Sequence, residues 1–297
     1  MKNLTVYPAG ENAGAPTTLR ATLRDTVRAS FFTGVTRAST IVMALLLALT
    51  SFPLKAVESQ RWEELKSGYF GDRTIIEGDD VITLEAPKRA HDAATVPVVV
   101  RTVDPGRQVK QVHLIVDMNP LPLAGIFKFS EEAGAWNSLE TRIRINEYTH
   151  VRAIGELHDG TLHMTSRFVK AAGGCSAPAM SDMQAAMARA GKMKLALDDI
   201  STGGAKSSEA VIKISHPNNS GMQFDQVSRN YIPAFFVHTI TAEVDGKPLI
   251  DVETNFSMSE NPVVRFNFPA DANHSELVVS AIDSKGNEFK KLVVASP

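Results

Sequence analysis

The segment VPVVVRTVDPGRQVKQVHLIV, residues 96–116, indicates the fold class. It holds two runs rich in valine and isoleucine, 96–103 and 109–116, separated by Asp104-Pro105-Gly106. β-Branched residues favour extended backbone, and Asp-Pro-Gly is typical of a turn. The segment therefore predicts two short strands joined by a tight turn.

The same pattern recurs along most of the chain. A first set of runs predicts strands at 74–77, 81–84, 96–103, 109–116, 125–129, 139–146, 151–157 and 161–169, and a second set predicts strands at 211–214, 235–244, 249–254, 263–268, 277–282 and 289–294. Within the first set, Ile143 and Ile145 alternate with Arg142 and Arg144, which predicts one buried and one solvated face. Many short strands at this spacing predict an all-β fold of two Ig-like β-sandwich domains.

Two segments break the strand pattern. Between Ser59 and Tyr69, the spacing of Trp62 and Leu65 predicts an amphipathic helix, with Ser59 as its N-cap. Residues 171–208 are rich in glycine and contain a helix predicted over 181–197. The resulting division is a leader at 1–56, a first sandwich with an N-terminal helix at 57–172, a Gly-rich, partly helical linker at 173–208 and a second sandwich at 209–297.

The leader has the features of a secretory signal segment. The apolar run IVMALLLALTSF, residues 41–52, follows Arg28 and Arg37 and is followed by the small residue Ala56. We therefore expect export and a periplasmic location. An uncleaved membrane anchor is the alternative, although the run is short for a membrane span.

The charge balance argues against nucleic-acid binding. The formal net charge is −2, and the leader holds six basic and two acidic residues, which leaves −6 on the remainder. Contact with phosphates requires clustered lysine and arginine, and no basic run occurs after the leader. We expect no nucleic-acid partner and, once the leader is removed, no membrane contact.

The chain has a single cysteine, Cys175. One cysteine cannot form an internal disulfide, so in an oxidising compartment it is either a working thiol or a small, inert, buried residue. Its neighbours from Ala171 to Ala179 are all small. Gly173 and Gly174 predict a flexible hinge, and with it an exposed, mobile thiol that other proteins can reach.

Several motifs occur in a fixed order along the chain. They are residues 96–101, residues 112–122 with Asn119-Pro120-Leu121-Pro122, residues 141–145 and 149–153, Gly173-Gly174-Cys175, His216-Pro217-Asn218-Asn219-Ser220-Gly221, residues 231–236, Asn261-Pro262 and residues 283–286. Up to Cys175 they resemble SoxY, and beyond it they resemble SoxZ. In this order they resemble the SoxYZ-type sulfur carriers over nearly all of the chain after the leader.

The resemblance implies that Cys175 is the covalent attachment point of a sulfur-containing cargo. It also implies that the chain is a carrier without catalytic activity of its own, with no cofactor other than the adduct on Cys175. The implied partners are the proteins that load, oxidise or hydrolyse the cargo, and SoxZ helps to recruit them.

Two features differ from SoxY. SoxY ends in Gly-Gly-Cys-Gly-Gly, whereas here Ser176-Ala177-Pro178 follows the cysteine and the chain continues. The two subunits are also one polypeptide. Such fused chains resemble the SoxYZ-like carriers associated with periplasmic quinoprotein dehydrogenases, so those dehydrogenase systems join the sulfur-oxidation enzymes as expected partners. A non-covalent accessory or maturation protein for such a dehydrogenase is the alternative function.

Other candidate sites are weaker. The eight histidines show no metal-binding spacing, so we predict no metal site. Met180, Met183 and Met187 lie at helical spacing, where Cu(I) binding competes with simple packing. Arg142, Arg144 and Arg152 form either an anion-attracting face or an ordinary solvated strand face.

Overall fold

The computed structural model describes residues 54–104, 107–131, 133–178, 182–202, 205–269 and 276–294. The predicted signal run at 41–52 lies outside these residues, so the leader stays a prediction. Residues 57–297 form one compact unit. Within the described part of the chain, no helix has the length and apolar character that crossing a membrane requires.

The described residues form two helices and seventeen strands. The helices are α1 (Leu54–Phe70) and α2 (Met183–Arg189), and the strands are β1 (Ile75–Glu77), β2 (Ile82–Glu85), β3 (Val96–Thr102), β4 (Val109–Val116), β5 (Leu123–Phe129), β6 (Ser138–Ile143), β7 (Thr149–Leu157), β8 (Leu162–Val169), β9 (Met193–Thr202), β10 (Ala205–Ile214), β11 (Phe224–Asp225), β12 (Asn230–Tyr231), β13 (Val237–Val244), β14 (Lys247–Thr254), β15 (Val263–Pro269), β16 (Glu276–Asp283) and β17 (Glu288–Val294). The all-β prediction is confirmed. Every predicted strand is present with small shifts at its ends, except that the strand predicted at 211–214 begins six residues earlier, at Ala205.

The strands form two large sheets, and both sheets run through the two modules. One has the order β1-β8-β7-β4-β5-β14-β13-β16-β17 and the other β2-β3-β6-β15-β10-β9. The first eight strands come from the SoxY-like half and the strands from β9 onward from the SoxZ-like half. Each half therefore supplies part of both layers of a continuous double sheet.

Two antiparallel strand pairs join the halves. Strand β5 pairs with β14, with Phe127 opposite Val252, and β6 pairs with β15, with Leu139 opposite Phe266. Edge strands expose unpaired backbone N–H and C=O groups. The two pairings across the junction satisfy these groups on β5, β14, β6 and β15, so none of these four strands is an edge strand. The two halves are thus held together by backbone hydrogen bonds between paired strands and not only by the linker at 173–208.

The apolar core is also continuous across the junction. Phe129 of the first half stacks on Trp136 at 4.3 Å between ring centroids and meets Phe266 of the second half edge-on at 5.9 Å. All three side chains are buried. Because aromatic contacts of this kind stabilise a core beyond their buried area, the two halves share one core.

The helix predicted over 181–197 is wrong in its second half. Helix α2 ends at Arg189, and Gly191 follows with a φ of +82°. A Cβ at Gly191 would lie only 2.0 Å from the Phe289 ring, so the position requires glycine. Strand β9 then begins, and it pairs with β10 along its whole length. This pairing overrides the helical pattern of the sequence, and it places a strand of the second sheet inside the predicted linker.

The predicted N-terminal helix is present but begins earlier, at Leu54, so Ser59 is not its N-cap. Trp62 is buried as predicted, whereas Tyr69 is 42% exposed and the next residue, Phe70, is buried in its place. The guanidinium of Arg152 lies 4.1 Å from the Trp62 ring and is itself paired with Asp117 at 2.9 Å. A cation held over an aromatic face in this way fixes the helix to the sheet.

The shared sheets predict a single unfolding transition for the two halves. Both tryptophans lie in the first half, Trp62 far from the junction and Trp136 close to it, so their fluorescence reports mainly on that half, while circular dichroism reports on all strands. We expect the thermal transitions by the two probes to coincide. Midpoints separated by more than a few degrees would show that the halves unfold independently.

Candidate functional site

Cys175 lies six residues after the end of β8 and is completely buried, with a relative exposure of 0%. The prediction of an exposed thiol is therefore wrong. The small side chains on either side of it, which suggested open access, instead allow the segment to lie flat against the rest of the protein. The sequence could not distinguish these outcomes, because small residues suit both a free loop and a closely packed one.

At the predicted hinge, the amides of both Gly173 and Gly174 are held by hydrogen bonds. The Gly173 N–H donates to the carbonyl of Asn146 at 2.8 Å, and the Gly174 N–H donates to the carbonyl of Ile145 at 2.9 Å. A Cβ on Gly174 would lie 2.0 Å from the carbonyl oxygen of Ala93. Only glycine allows such an approach, so Gly174 is required for the close packing of the docked segment.

The backbone that carries these two carbonyls is fixed by Asn119, the asparagine of the Asn-Pro-x-Pro motif. Its Nδ2 donates to the carbonyl of Arg144 at 2.8 Å, and its Oδ1 accepts from the N–H of Asn146 at 2.9 Å. The side chain is buried. Asn119 thereby shapes the backbone after β6 against which the two glycines dock.

The second half covers the cysteine with residues 216–223, which we call the capping loop. The Ser220 hydroxyl donates a hydrogen bond to the carbonyl of Cys175, and the Ser220 N–H donates to Oε1 of Gln223 at 3.0 Å. Ser220 and Gln223 are buried. The motif that resembles SoxZ thus lies directly over the residue that ends the SoxY-like half.

Asn218 determines the shape of the capping loop. Its φ is +47°, its Oδ1 accepts from the N–H of Val237 at 2.9 Å, and its Nδ2 donates to the carbonyl of Met258 at 3.1 Å. Asparagine tolerates the left-handed region better than most residues, and here its amide bonds offset the cost. These bonds fix the loop to the second sandwich.

His216 begins the capping loop. Its Nδ1 accepts from the N–H of Asn218 at 3.1 Å, which closes a turn at the start of the loop. Burial lowers the pKa of His216 to about 4, although Asp283 at 3.7 Å opposes this. The ring is therefore neutral near pH 7.

Arg144 was predicted to lie on a solvated face, and the structure corrects this. Its side chain is buried, with an exposure of 1%. Its Nη1 donates to the carbonyl of Gly174 at 3.1 Å and its Nη2 donates to the carbonyl of Asn218 at 3.2 Å. The strand alternation ends with β6 at Ile143, so the next side chain is free to turn inward. One guanidinium joins the cysteine segment to the capping loop.

The surroundings of Cys175 keep its thiol protonated. Burial raises the pKa of Cys175 to about 11, and the charge of Arg144 opposes this only in part. The thiolate is the nucleophilic form, so the docked thiol is unreactive near pH 7. Covalent chemistry at this sulfur requires the segment to move away from the capping loop.

The remaining candidates do not converge on a second site. Arg152 is buried with Asp117, and Arg142 is exposed, so with Arg144 turned inward the three arginines share no face. Met183 accepts a weak hydrogen bond from Asn219, whereas Met187 is 42% exposed and Met180 lies outside the described residues. The described residues include no group of three or more His, Cys, Asp or Glu side chains suited to a metal ion.

The raised pKa of Cys175 predicts a specific pH dependence of stability. The thiol pKa is 9.0 when unperturbed and about 11 in the fold, so the folded state binds the proton more tightly. The stabilisation it contributes is complete below pH 9 and is lost as the pH rises to 11, with an upper limit of about 2–3 kcal/mol.

Urea unfolding of the wild type and of Cys175→Ala between pH 8 and 11.5 checks this. The wild-type free energy of unfolding, minus that of the variant, should fall as the pH rises, since all other titrating groups are common to both proteins. A difference that stays constant over this range would contradict a buried, neutral thiol.

Comparison with known proteins follows the same division of the chain. The model of the family "Sulfur oxidation protein SoxY" matches residues 66–175 and so ends at the cysteine, and the model of the family "Sulphur oxidation protein SoxZ" matches residues 201–294. No curated protein sequence matches the chain significantly.

Two solved structures resemble parts of the chain. The sulfur carrier protein SoxY from Chlorobium limicola f thiosulfatophilum is 23% identical, with a TM-score of 0.33, over 39% of this chain and 96% of its own. A β-glycosidase from Bacteroides vulgatus is 12% identical, with a TM-score of 0.23, over 73% of this chain and 25% of its own. The tandem family matches together cover more than half of the chain. The chain therefore belongs to the SoxYZ sulfur carriers, non-catalytic proteins of sulfur oxidation, as a fused form with a SoxY module followed by a SoxZ module.

Proposed function

We propose that this chain is a periplasmic carrier that holds sulfur-containing intermediates covalently on Cys175 and presents them to partner enzymes. The observation that carries the proposal is the position of Cys175. It is the single cysteine, it ends the SoxY match, and both modules hold its segment in place. A residue with no task would not require this convergence of polar contacts.

The burial of the thiol implies a cycle of two states. In the docked state the sulfur is protonated and covered by the capping loop. In the released state the segment leaves the surface, the pKa returns toward its unperturbed value and the thiolate can attack or be attacked. The docked state protects the thiol from reaction, and the Cys175 thiolate reacts in the released state.

The reach of the released segment is limited because both of its ends are anchored. Thirteen residues, 170–182, separate the end of β8 from the start of α2. At roughly 3.4 Å per residue, a loop fixed at both ends extends about 20 Å at most. This reach suits a shallow partner pocket, and it is shorter than that of a free C-terminal arm of similar length.

The partners of such a carrier are other sulfur-oxidation proteins. We propose in addition a periplasmic quinoprotein dehydrogenase system. The support for it is the fusion of the two modules and the replacement of the usual Gly-Gly by Ser176-Ala177 after the cysteine. The apolar run at 41–52 supports the periplasmic location.

Intact-mass analysis of the protein isolated from its native compartment tests covalent carriage. Under sulfur-supplied growth, we expect a mass increase that matches sulfur or sulfur and oxygen atoms. Reduction should remove it, and Cys175→Ala should lack it. A wild-type mass that never exceeds that of the bare or glutathione-capped thiol would contradict the proposal.

A non-covalent accessory role is the second candidate, and the complete burial of Cys175 favours it. In that case the thiol is a packing residue and the sandwich surfaces bind a quinoprotein dehydrogenase. Growth or dehydrogenase activity of a Cys175→Ala strain separates the two functions. Unchanged physiology in a strain that makes normal amounts of the variant would support the accessory role.

A further inference from the structure

Arg144 is a buried charge without a counter-ion. Within the described part of the chain, no carboxylate lies at salt-bridge distance from its guanidinium, and Glu260 and Asp92 act on it only at longer range. Its Nη1 and Nη2 bind neutral carbonyls, and its buried Nε atom has no hydrogen-bond partner among the described residues. A buried cation of this kind is costly to maintain and is normally paired.

The guanidinium of Arg144 lies against the cysteine segment. Nη1 of the same guanidinium binds the carbonyl of Gly174, the residue before Cys175, and the charge of Arg144 acts on the thiol itself. A second unsatisfied donor belongs to the capping loop. Nε2 of Gln223 is buried without a partner, while Oε1 of the same side chain accepts from Ser220, whose hydroxyl binds the carbonyl of Cys175.

One uncompensated positive charge and two unsatisfied donors thus belong to side chains that hold the cysteine segment, Arg144 directly and Gln223 through Ser220. Each unmet donor destabilises the unloaded protein, and an anion on the sulfur would satisfy them. We propose that Arg144 and Gln223 form an anion subsite, which binds the terminal negative charge of the cargo when Cys175 is docked. The inference rests on the proposed carrier function and names the residues that hold the charge of an anionic cargo.

The subsite gives the docked state a second role. A neutral adduct leaves the charge of Arg144 uncompensated, so it gains nothing from docking. An adduct that ends in a sulfonate or a sulfide anion pairs with the guanidinium and is held against the protein, away from adventitious thiols. Charge on the cargo therefore favours the docked state.

Two mixed disulfides on Cys175 that differ in charge test the subsite. The Cys175 thiolate displaces thiosulfate from tetrathionate and forms Cys–S–S–SO₃⁻. It displaces methanesulfinate from methyl methanethiosulfonate and forms the neutral Cys–S–S–CH₃. In each reaction the cysteine sulfur is oxidised and the sulfur leaving group carries away the electron pair. Both adducts are made on the urea-unfolded full chain, which is then refolded.

The measurement is the rate at which dithiothreitol releases each adduct, followed by intact mass. For each protein, the release rate of the neutral adduct is divided by that of the anionic adduct in the folded state. This ratio is then divided by the same ratio measured in urea, which removes the intrinsic difference in reactivity between the two adducts. We expect the wild-type value to exceed that of Arg144→Gln by about tenfold. Arg144→Lys should restore part of the difference, and Arg142→Gln, a neighbouring exposed arginine, should match the wild type.

Gln223→Glu provides a test that is independent of Arg144. It retains an acceptor oxygen for the Ser220 N–H and replaces the free donor with a negative charge, so the ratio should fall below the wild-type value. This keeps the proposal open to contradiction if Arg144→Gln does not refold. The proposal would be overturned if the wild type gave the same ratio as Arg144→Gln or as Gln223→Glu. It would also be overturned if the wild type refolded with the neutral adduct but not with the anionic one. Neither result would affect covalent carriage, which the native intact mass decides separately.

Discussion

The guanidinium of Arg144 donates to two carbonyls from different modules, Gly174 at 3.1 Å and Asn218 at 3.2 Å, and the rest of the site depends on this bridge. It joins the cysteine segment to the loop that covers it. Burial strengthens the two hydrogen bonds of the bridge, but removing the guanidinium charge from water costs free energy. The protein thus maintains a strained electrostatic arrangement around the one side chain that can carry cargo.

The fused sheets explain how such a bridge is kept in register. Pairing of β5 with β14 and of β6 with β15 fixes the SoxZ-like module against the SoxY-like module over two ladders. The capping loop precedes β13 and the acceptor carbonyls follow β6, so both partners are anchored to the same double layer. A flexible linker between independent domains would not keep the two carbonyls at hydrogen-bond distance from the same guanidinium.

The sequence predicted the strands and the identity of the key residue, but not its environment. Short β-branched runs and turn residues located every strand of the first half, because these signals are local. Strand β9 was missed because its pairing with β10, and not its own pattern, makes it a strand. Burial of Cys175 and the inward turn of Arg144 depend on contacts between segments some 30 to 75 residues apart, which no local pattern reveals.

The motif at residues 216–221, which resembles SoxZ, gives no local sign that its polar side chains are buried. Asn218, Asn219 and Ser220 are residue types that are equally common in exposed turns. All three side chains are buried in the structure. Polar side chains that are buried indicate hydrogen bonds to another segment, and here that segment carries the cysteine.

The most direct test of a docked, sealed thiol is the rate at which iodoacetamide alkylates Cys175 in the native protein. The account predicts slow alkylation in the wild type and in Ser176→Ala, whose side chain is exposed. Gly174→Ala cannot dock without displacing the Ala93 carbonyl, a cost of about 1–3 kcal/mol, so it should be alkylated at least about fivefold faster. Alkylation of the wild type as fast as that of the urea-unfolded chain would contradict the account.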